Sequence, residues 1–192
     1  MIKHHRRSIR LKDYDYSQSG HYFITICTHN QQHLFGEIKN DQMILNQLGQ
    51  IIQIQWLNTP KRYHNILLDK YIVMPNHLHG IIEIRDNNVG AIHVGAIHEL
   101  PLHELPLRGK SSLQELTIKR RTMLIPKIIG YFKMNSAKQI NQLSKISCQP
   151  IWQRNYYEHI IRDEKSLNNI REYITNNPLN WERDRNNLKD IN

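Results

Sequence analysis

Residues 66–84 read Ile-Leu-Leu-Asp-Lys-Tyr-Ile-Val-Met-Pro-Asn-His-Leu-His-Gly-Ile-Ile-Glu-Ile, two runs of strand-forming residues joined by Pro75-Asn76. Turn chemistry between two such runs specifies an antiparallel hairpin, with strands over 66–74 and 77–84, and so commits the chain to an antiparallel sheet. Successive side chains of a strand point to opposite faces. His77 and His79 therefore share one face, while Leu78, Ile82 and Ile84 point from the other into a core. Two imidazoles side by side on a buried strand make half of a site for one divalent metal ion, to be completed by ligands from elsewhere. The chain holds twelve histidines, and strand histidines are also found simply hydrogen-bonded, so the spacing alone leaves both readings open.

The remaining elements follow from periodicity and punctuation. Residues 22–28, Tyr-Phe-Ile-Thr-Ile-Cys-Thr, are β-branched and aromatic and read as a strand. Runs over 34–38 and 43–45 flank Lys39-Asn40-Asp41, a hairpin turn. Asn46 caps a helix reaching residue 57, with Leu48, Ile51, Ile52 and Gln55 at helical spacing and Thr59-Pro60 ending it. Helical segments follow at 113–121 and 125–143. In the second, Pro126 suits the first turn and Ile128, Ile129, Phe132 and Ile140 supply an apolar side. Residues 151–161 read as a loop entering a strand. Asp163 then caps a final helix over 164–177, stopped by Pro178, whose buried stripe is Leu167, Ile170 and Ile174. This order predicts an α+β chain with a ferredoxin-like split βαβ layout, an antiparallel sheet with helices on one face.

Residues 89–107 are tandem pentads: Val-Gly-Ala-Ile-His twice (89–98), then His-Glu-Leu-Pro-Leu twice (98–107), with His98 common to both repeats. The period is far too short for a folded solenoid. Residues 85–112 therefore read as a repeat-expanded loop insertion, tolerated because loop length costs little free energy, and His93, His98 and His103 owe their spacing to the repeat. At 192 residues the chain reads as a single domain with a basic arm over 1–20 and a charged tail over 179–192 that frays after Trp181.

Lysine and arginine number 26 against 17 acidic residues, a net charge of +9 that attracts polyanions, nucleic acid foremost. Candidates for phosphate contacts are Arg6, Arg7, Arg10 and Lys12 of the arm, with Lys119, Arg120, Arg121, Lys127 and Lys133 further on. The two cysteines, Cys27 and Cys148, form no spaced motif. Cys27 reads as a small buried hydrophobe, a disulfide framework is not expected, and the expected compartment is the cytoplasm. No stretch has the ~18 apolar residues of a membrane span.

On the final helix Tyr173 and Asn177 stand four apart on one face, beside the apolar stripe. A tyrosine there can look across at the histidine strand; it can equally be a boundary residue with a buried ring and a wet hydroxyl. Asn177 is likewise open to reading as a plain helix-end residue. Tyr157 and His159 alternate on one strand face, which makes Tyr157 a second candidate nucleophile.

Met74-Pro-Asn-His-Leu-His-Gly80, Trp152-Gln-Arg-Asn-Tyr-Tyr-Glu-His159, Ile161-Arg-Asp163 and Tyr173-Ile-Thr-Asn-Asn-Pro178, taken in order, resemble the REP-associated tyrosine transposases, relatives of the single-tyrosine HUH transposases of small bacterial insertion sequences. The resemblance spans residues 20–178, interrupted by the pentads. It implies a metal-dependent nuclease and strand transferase on single-stranded DNA, whose substrates are palindromic repeats folded into hairpins. His77 and His79 would bind Mg²⁺ or Mn²⁺, Asn177 would be the third protein ligand, and Tyr173 would be the nucleophile. Insertion-sequence relatives carry glutamine where this chain has Asn177. His159 would contact DNA or a group behind the site. The implied setting is the cytoplasm, on the nucleoid. Insertion-sequence relatives act as dimers and repeat-associated ones can act alone, so the resemblance allows a monomer or a homodimer. A different class of function fits the same features: a domesticated, catalytically silent protein that binds hairpin repeats.

Overall fold

The Pro75-Asn76 turn forms as its sequence requires. Strand β4 (Ile66–Met74) returns antiparallel as β5 (His77–Ile84), with Met74 opposite His77. This is seen in a computed structural model that describes residues 14–86, 123–144, 149–184, 186 and 187. Arg6, Arg7, Arg10, Lys12, the pentads, the expected helix at 113–121 with Lys119, Arg120 and Arg121, and Cys148 lie outside the described residues.

Before β4 come β1 (Gly20–Cys27), the hairpin β2 (Gly36–Lys39) and β3 (Gln42–Leu45), α1 (Gln47–Leu57) and the short α2 (Thr59–Arg62). After β5 come α3 (Leu124–Leu143), β6 (Tyr157–Ile161), α4 (Glu164–Thr175) and a 3-10 turn over Trp181–Arg183. The main sheet has the order β4-β5-β1-β6, every neighbouring pair antiparallel. β1 and β4 therefore run parallel with β5 between them, and β5 and β6 run parallel with β1 between them. Two βαβ units are thus interleaved, which is the split layout expected from the element order.

Local chemistry accounts for the boundaries. The turn residues Asn40 and Asp41 have φ of 49° and 58°, the paired left-handed conformation of a tight hairpin. Asn46 accepts from the Gly49 amide at 3.0 Å, and Asp163 accepts from the Ser166 amide at 2.7 Å, so both expected caps start their helices. The hydrogen bonds from Ser166 hold the Asp163 carboxyl below the usual carboxylate range. Thr59-Pro60, expected as a stop, instead opens α2, with proline in its first turn where a missing N–H costs nothing.

The helices, expected on one face, are divided between two. Ile52 and Trp56 of α1 and Ile125, Ile128, Ile129, Phe132 and Ile140 of α3 pack on Tyr22, Ile24, Ile26, Leu78 and Ile82. Leu167 and Ile174 of α4 pack on the opposite face, against Phe23, Ile81 and Ile161. Phe23 and Ile81 are the physical reason. They are apolar residues on the histidine face of the sheet, and only a covering helix removes them from water. Gly80 serves the other face: a Cβ built there would lie 2.4 Å from Trp56 Cζ2, so the indole of α1 occupies the space a side chain would need. Among the described residues, no helix is long and apolar enough to cross a membrane.

Candidate active site

His77 and His79 are both buried, and their ring centroids lie 4.4 Å apart on the α4 face of the sheet. Each ring has one nitrogen held by the protein. His77 Nδ1 is 2.8 Å from Asn76 Oδ1. The Asn76 Nδ2 group is already committed as a donor, to the carbonyls of Gln31 at 3.0 Å and Asn186 at 2.7 Å. Oδ1 can therefore only accept, so His77 Nδ1 carries the proton and its Nε2 presents a lone pair. His79 Nδ1 is 2.8 Å from the Thr25 hydroxyl, on the paired residue of β1. Donation from Nδ1 to that hydroxyl leaves the His79 Nε2 lone pair facing the same space. Such backing of each imidazole by a polar group is how metal-binding histidines are oriented.

A carboxylate closes the third side. Ligand atoms of His77, His79 and Asp184 all lie within 4.8 Å of one another. Asp184 Oδ1 accepts from the Asn186 amide at 2.6 Å, and Oδ2 accepts from Asn177 Nδ2 at 3.3 Å. Asn177 is itself buried, and its Oδ1 has no hydrogen-bond partner among the described residues. Two neutral imidazoles, a carboxylate and an unsatisfied amide oxygen together suit a hard or borderline divalent cation. The residues present fit a metal ion.

Tyr173 stands at the edge of this group. Its hydroxyl is 3.3 Å from His79 Nε2, and its ring meets His79 edge-on at 5.2 Å. Phe23 fixes the arrangement from beneath, stacked on His79 at 5.3 Å and T-shaped to Tyr173 at 6.1 Å. The tyrosine remains 45% exposed, so a substrate can reach it. Helix α4 is tied to the sheet near this point: Arg171 places Nε at 2.8 Å and Nη2 at 2.7 Å from Asp69 Oδ2 on β4. The Asp69 carboxylate raises the Arg171 pKa.

Of the residues singled out in the sequence, His77, His79, Tyr173 and Asn177 come together. Tyr157 lies at the sheet edge with its ring against Phe23 at 6.3 Å, whereas Tyr173 is the tyrosine whose hydroxyl reaches His79. His159 is exposed on β6, in register with Phe23. Lys127 is exposed on α3. Lys133, expected at phosphate, instead turns its ammonium to backbone carbonyls of Gln153, Arg154 and Asn155, holding the approach to β6. Burial brings its pKa down to about 8. Cys27 is half-buried, and its thiol donates to Asn186 Oδ1 at 3.8 Å.

The sequence reading missed Asp184, Asn76, Thr25 and Asn186. Of the tail expected to fray after Trp181, the described residues as far as Asn187 instead pack beside the histidines. Trp181 has its ring 6.0 Å from His77, Asn187 Nδ2 donates to the Trp181 carbonyl at 3.0 Å, and Asn186 is 8% exposed. Asn76 was visible as the turn residue beside His77. No periodicity or motif pointed to Asp184.

The chain is 45% identical over 181 residues to an uncharacterized protein of Haemophilus influenzae, spanning 94% of this chain and 92% of that one. This chain belongs to that protein's family. No protein-family model matches it. Among solved structures it is similar to a REP-associated tyrosine transposase bound to a REP hairpin, at 15% identity and a TM-score of 0.47, covering 91% of this chain and 74% of that one. It is also similar to a candidate transposase from Deinococcus radiodurans, at 14% identity and a TM-score of 0.45, covering 87% of this chain and 97% of that one.

Proposed function

We propose that this protein is a metal-dependent single-stranded DNA nuclease and strand transferase of the single-tyrosine kind, with Tyr173 as nucleophile and hairpin-forming repeat DNA as substrate. The observation that carries this reading is the Tyr173 hydroxyl 3.3 Å from His79 Nε2, beside the His77, His79 and Asp184 cluster. A tyrosine used only for packing has no need of that neighbour. The sequence resemblance supports the same assignment, and the net charge of +9 suits a polyanionic partner. The reading includes a cytoplasmic, nucleoid-associated location.

His77, His79 and Asp184 would hold Mg²⁺ or Mn²⁺, with the Asn177 amide oxygen completing the protein's share. When bound, the ion supplies charge stabilisation at the phosphate. Tyr173 Oη attacks phosphorus, the bond from phosphorus to the 3′-oxygen breaks, the phenol proton passes to solvent and the leaving oxygen takes one up. The products are a 5′-phosphotyrosyl link and a free 3′-hydroxyl. The link keeps the phosphodiester's free energy, so the 3′-hydroxyl of another strand can reverse the step and join. The chain's own contribution is placement: Phe23 and the Asp69–Arg171 pair hold the phenol at the site, and Asn76 and Thr25 set the imidazole orientations.

The test is covalent capture. Labelled single-stranded hairpin DNA with Mn²⁺ should give an adduct on a denaturing gel. Tyr173→Phe should abolish it while DNA binding survives. An adduct at wild-type level in that variant, or cleavage undiminished in chelator, refutes the assignment. A protein that binds the hairpin and forms no adduct under any divalent ion is the silent binder.

A further inference from the structure

Three hydrogen bonds meet at Asn186, and each leads to a different part of the candidate site. Its amide donates to Asp184 Oδ1 at 2.6 Å. Its carbonyl accepts at 2.7 Å from Nδ2 of Asn76, the residue whose Oδ1 backs His77. Its side-chain Oδ1 accepts from the Cys27 thiol at 3.8 Å. Cys27 lies opposite His77 in the β1–β5 register and, two residues on from Thr25, shares the histidine face. The Asn187 amide also donates to the Asp184 carbonyl, at 2.9 Å. Residues 184–187 therefore close a turn in which the aspartate side chain bonds the backbone two residues on, and the turn fixes the Asp184 carboxylate relative to Asn186.

We infer that Asn186 is the positioning residue for Asp184: anchored on the sheet by Cys27 and Asn76, it sets the carboxylate at the ion. This rests on the metal site proposed above. Asp184 comes from outside the helices and strands, so no regular element aims it. The turn relates it to Asn186 but not to the histidines, and the two contacts with the sheet supply that second relation. Asn76 holds the Asn186 carbonyl beside His77, and Cys27 holds the carboxamide from β1. The bonds to Asp184 and Asn76 use backbone groups, which any residue could offer. What the asparagine adds is a side chain, on a residue only 8% exposed, seated against the Cys27 thiol. Its Nδ2 has no hydrogen-bond partner among the described residues. A buried amide that uses only its oxygen is a costly way to fill space, so its contribution is where it holds the peptide. The ligand atoms of His77, His79 and Asp184 lie within 4.8 Å of one another. A shift of the Asn186 peptide carries the carboxylate with it, and a ligand that loses the group orienting it binds metal less tightly.

The test is calorimetric titration of the full-length protein with Mn²⁺. Asn186→Ala should weaken Mn²⁺ binding about tenfold or more, while Tm in chelator falls only about 2–4 °C, the loss of one weak bond. In an Asp184→Ala background the same substitution should cost far less affinity, because the residue it acts through is gone. An equal loss in both backgrounds, or wild-type affinity in Asn186→Ala, overturns the inference. A second measurement needs no variant and decides the matter if Asn186→Ala does not fold. N-ethylmaleimide labels the Cys27 thiol, counted apart from Cys148 by peptide mapping. Mn²⁺ at about ten times its Kd cuts the fraction of protein with Asn186 lifted from the thiol about tenfold, and labelling of Cys27 should slow to match. A labelling rate that Mn²⁺ leaves unchanged overturns the inference as well. Wild-type protein that binds no Mn²⁺ at millimolar concentration overturns the metal reading and this inference together, whereas Mn²⁺ binding indifferent to Asn186 overturns this inference alone.

Discussion

Asn76→Ala tests whether the histidine pair is a metal site or a hydrogen-bonded part of the core. Asn76 is fully buried and makes three hydrogen bonds: it donates to the carbonyls of Gln31 and Asn186 and accepts from His77 Nδ1. At about 1 kcal/mol net for each, their loss costs roughly 3 kcal/mol, which for a chain of this size is a fall of about 6–12 °C in Tm. The second effect is chemical. Without an acceptor at Nδ1, His77 is free to turn and to change tautomer, and losing such backing typically weakens metal binding by about 10- to 100-fold. Asn76→Asp separates the two effects. It keeps an oxygen for His77 Nδ1 but sets a carboxylate against the Gln31 and Asn186 carbonyls, so Tm falls while Mn²⁺ affinity is retained. Unfolding is followed by circular dichroism in chelator, and Mn²⁺ affinity by calorimetry well below either variant's Tm. If Asn76→Ala binds Mn²⁺ as tightly as wild type, the orienting role is refuted. If Asn76→Ala and Asn76→Asp lose metal equally, the loss reflects structural damage and not the histidine tautomer.

Asp184→Ala should weaken Mn²⁺ binding about tenfold or more, and Asn177→Ala less, because the carboxylate carries charge and Asn177 also acts through its bond to Asp184; calorimetric titration of both variants ranks them, and the reverse order would make Asn177 the principal third ligand. Asp69→Ala frees Arg171 and with it the anchoring of α4, so adduct formation should slow about tenfold or more while Tm falls only about 2–4 °C, the value of a partly exposed ion pair. Stability should rise with pH from about 8 towards the ordinary lysine value of 10.5, because buried Lys133 releases its proton earlier in the folded chain than in the unfolded one. Lys133→Met should flatten that rise in urea titrations at pH 8 and 9.5. The window closes where the unfolded chain's tyrosines ionise, since burial holds the Tyr22 phenol protonated in the fold and so makes stability fall at still higher pH.

Where local chemistry decides, the sequence was readable. Asp163 and Asn46 cap the helices they precede because a short side-chain acceptor before an apolar stripe has little else to do. The order of elements was enough for the interleaved sheet, because a hairpin and two crossovers leave few ways to pair four strands. The side of the sheet each helix covers was harder. An amphipathic stripe says that a helix packs, not on which face, yet a signal was present: Tyr22-Phe23-Ile24 of β1 and Ile81-Ile82 of β5 put adjacent apolar residues on both faces, as in strands covered on both sides. Spacing could place the two histidines on one strand face and Tyr173 on one side of the final helix, because each sits in a regular element, while their roles came only from the resemblance of the motifs. Asp184 could not be placed in this way. It lies in an irregular polar segment, brought to the histidines by contacts such as the Asn76–Asn186 bond, which joins residues 110 positions apart. Lys133 was misplaced for a related reason, since positive charge on a helix does not reveal that three carbonyls wait beside it.

The contact of Asp184 with a histidine strand a hundred residues earlier binds two equilibria into one. An ion seated there would crosslink Asp184 to the middle of the sheet, so anything that peels the stretch around Asp184 away would also empty the ion, and loading the ion should slow amide exchange over Trp181 to Asp184 more than elsewhere. Metal concentration would then set how firmly the turn over Trp181–Arg183 stays down, and with it how open the path to Tyr173 is.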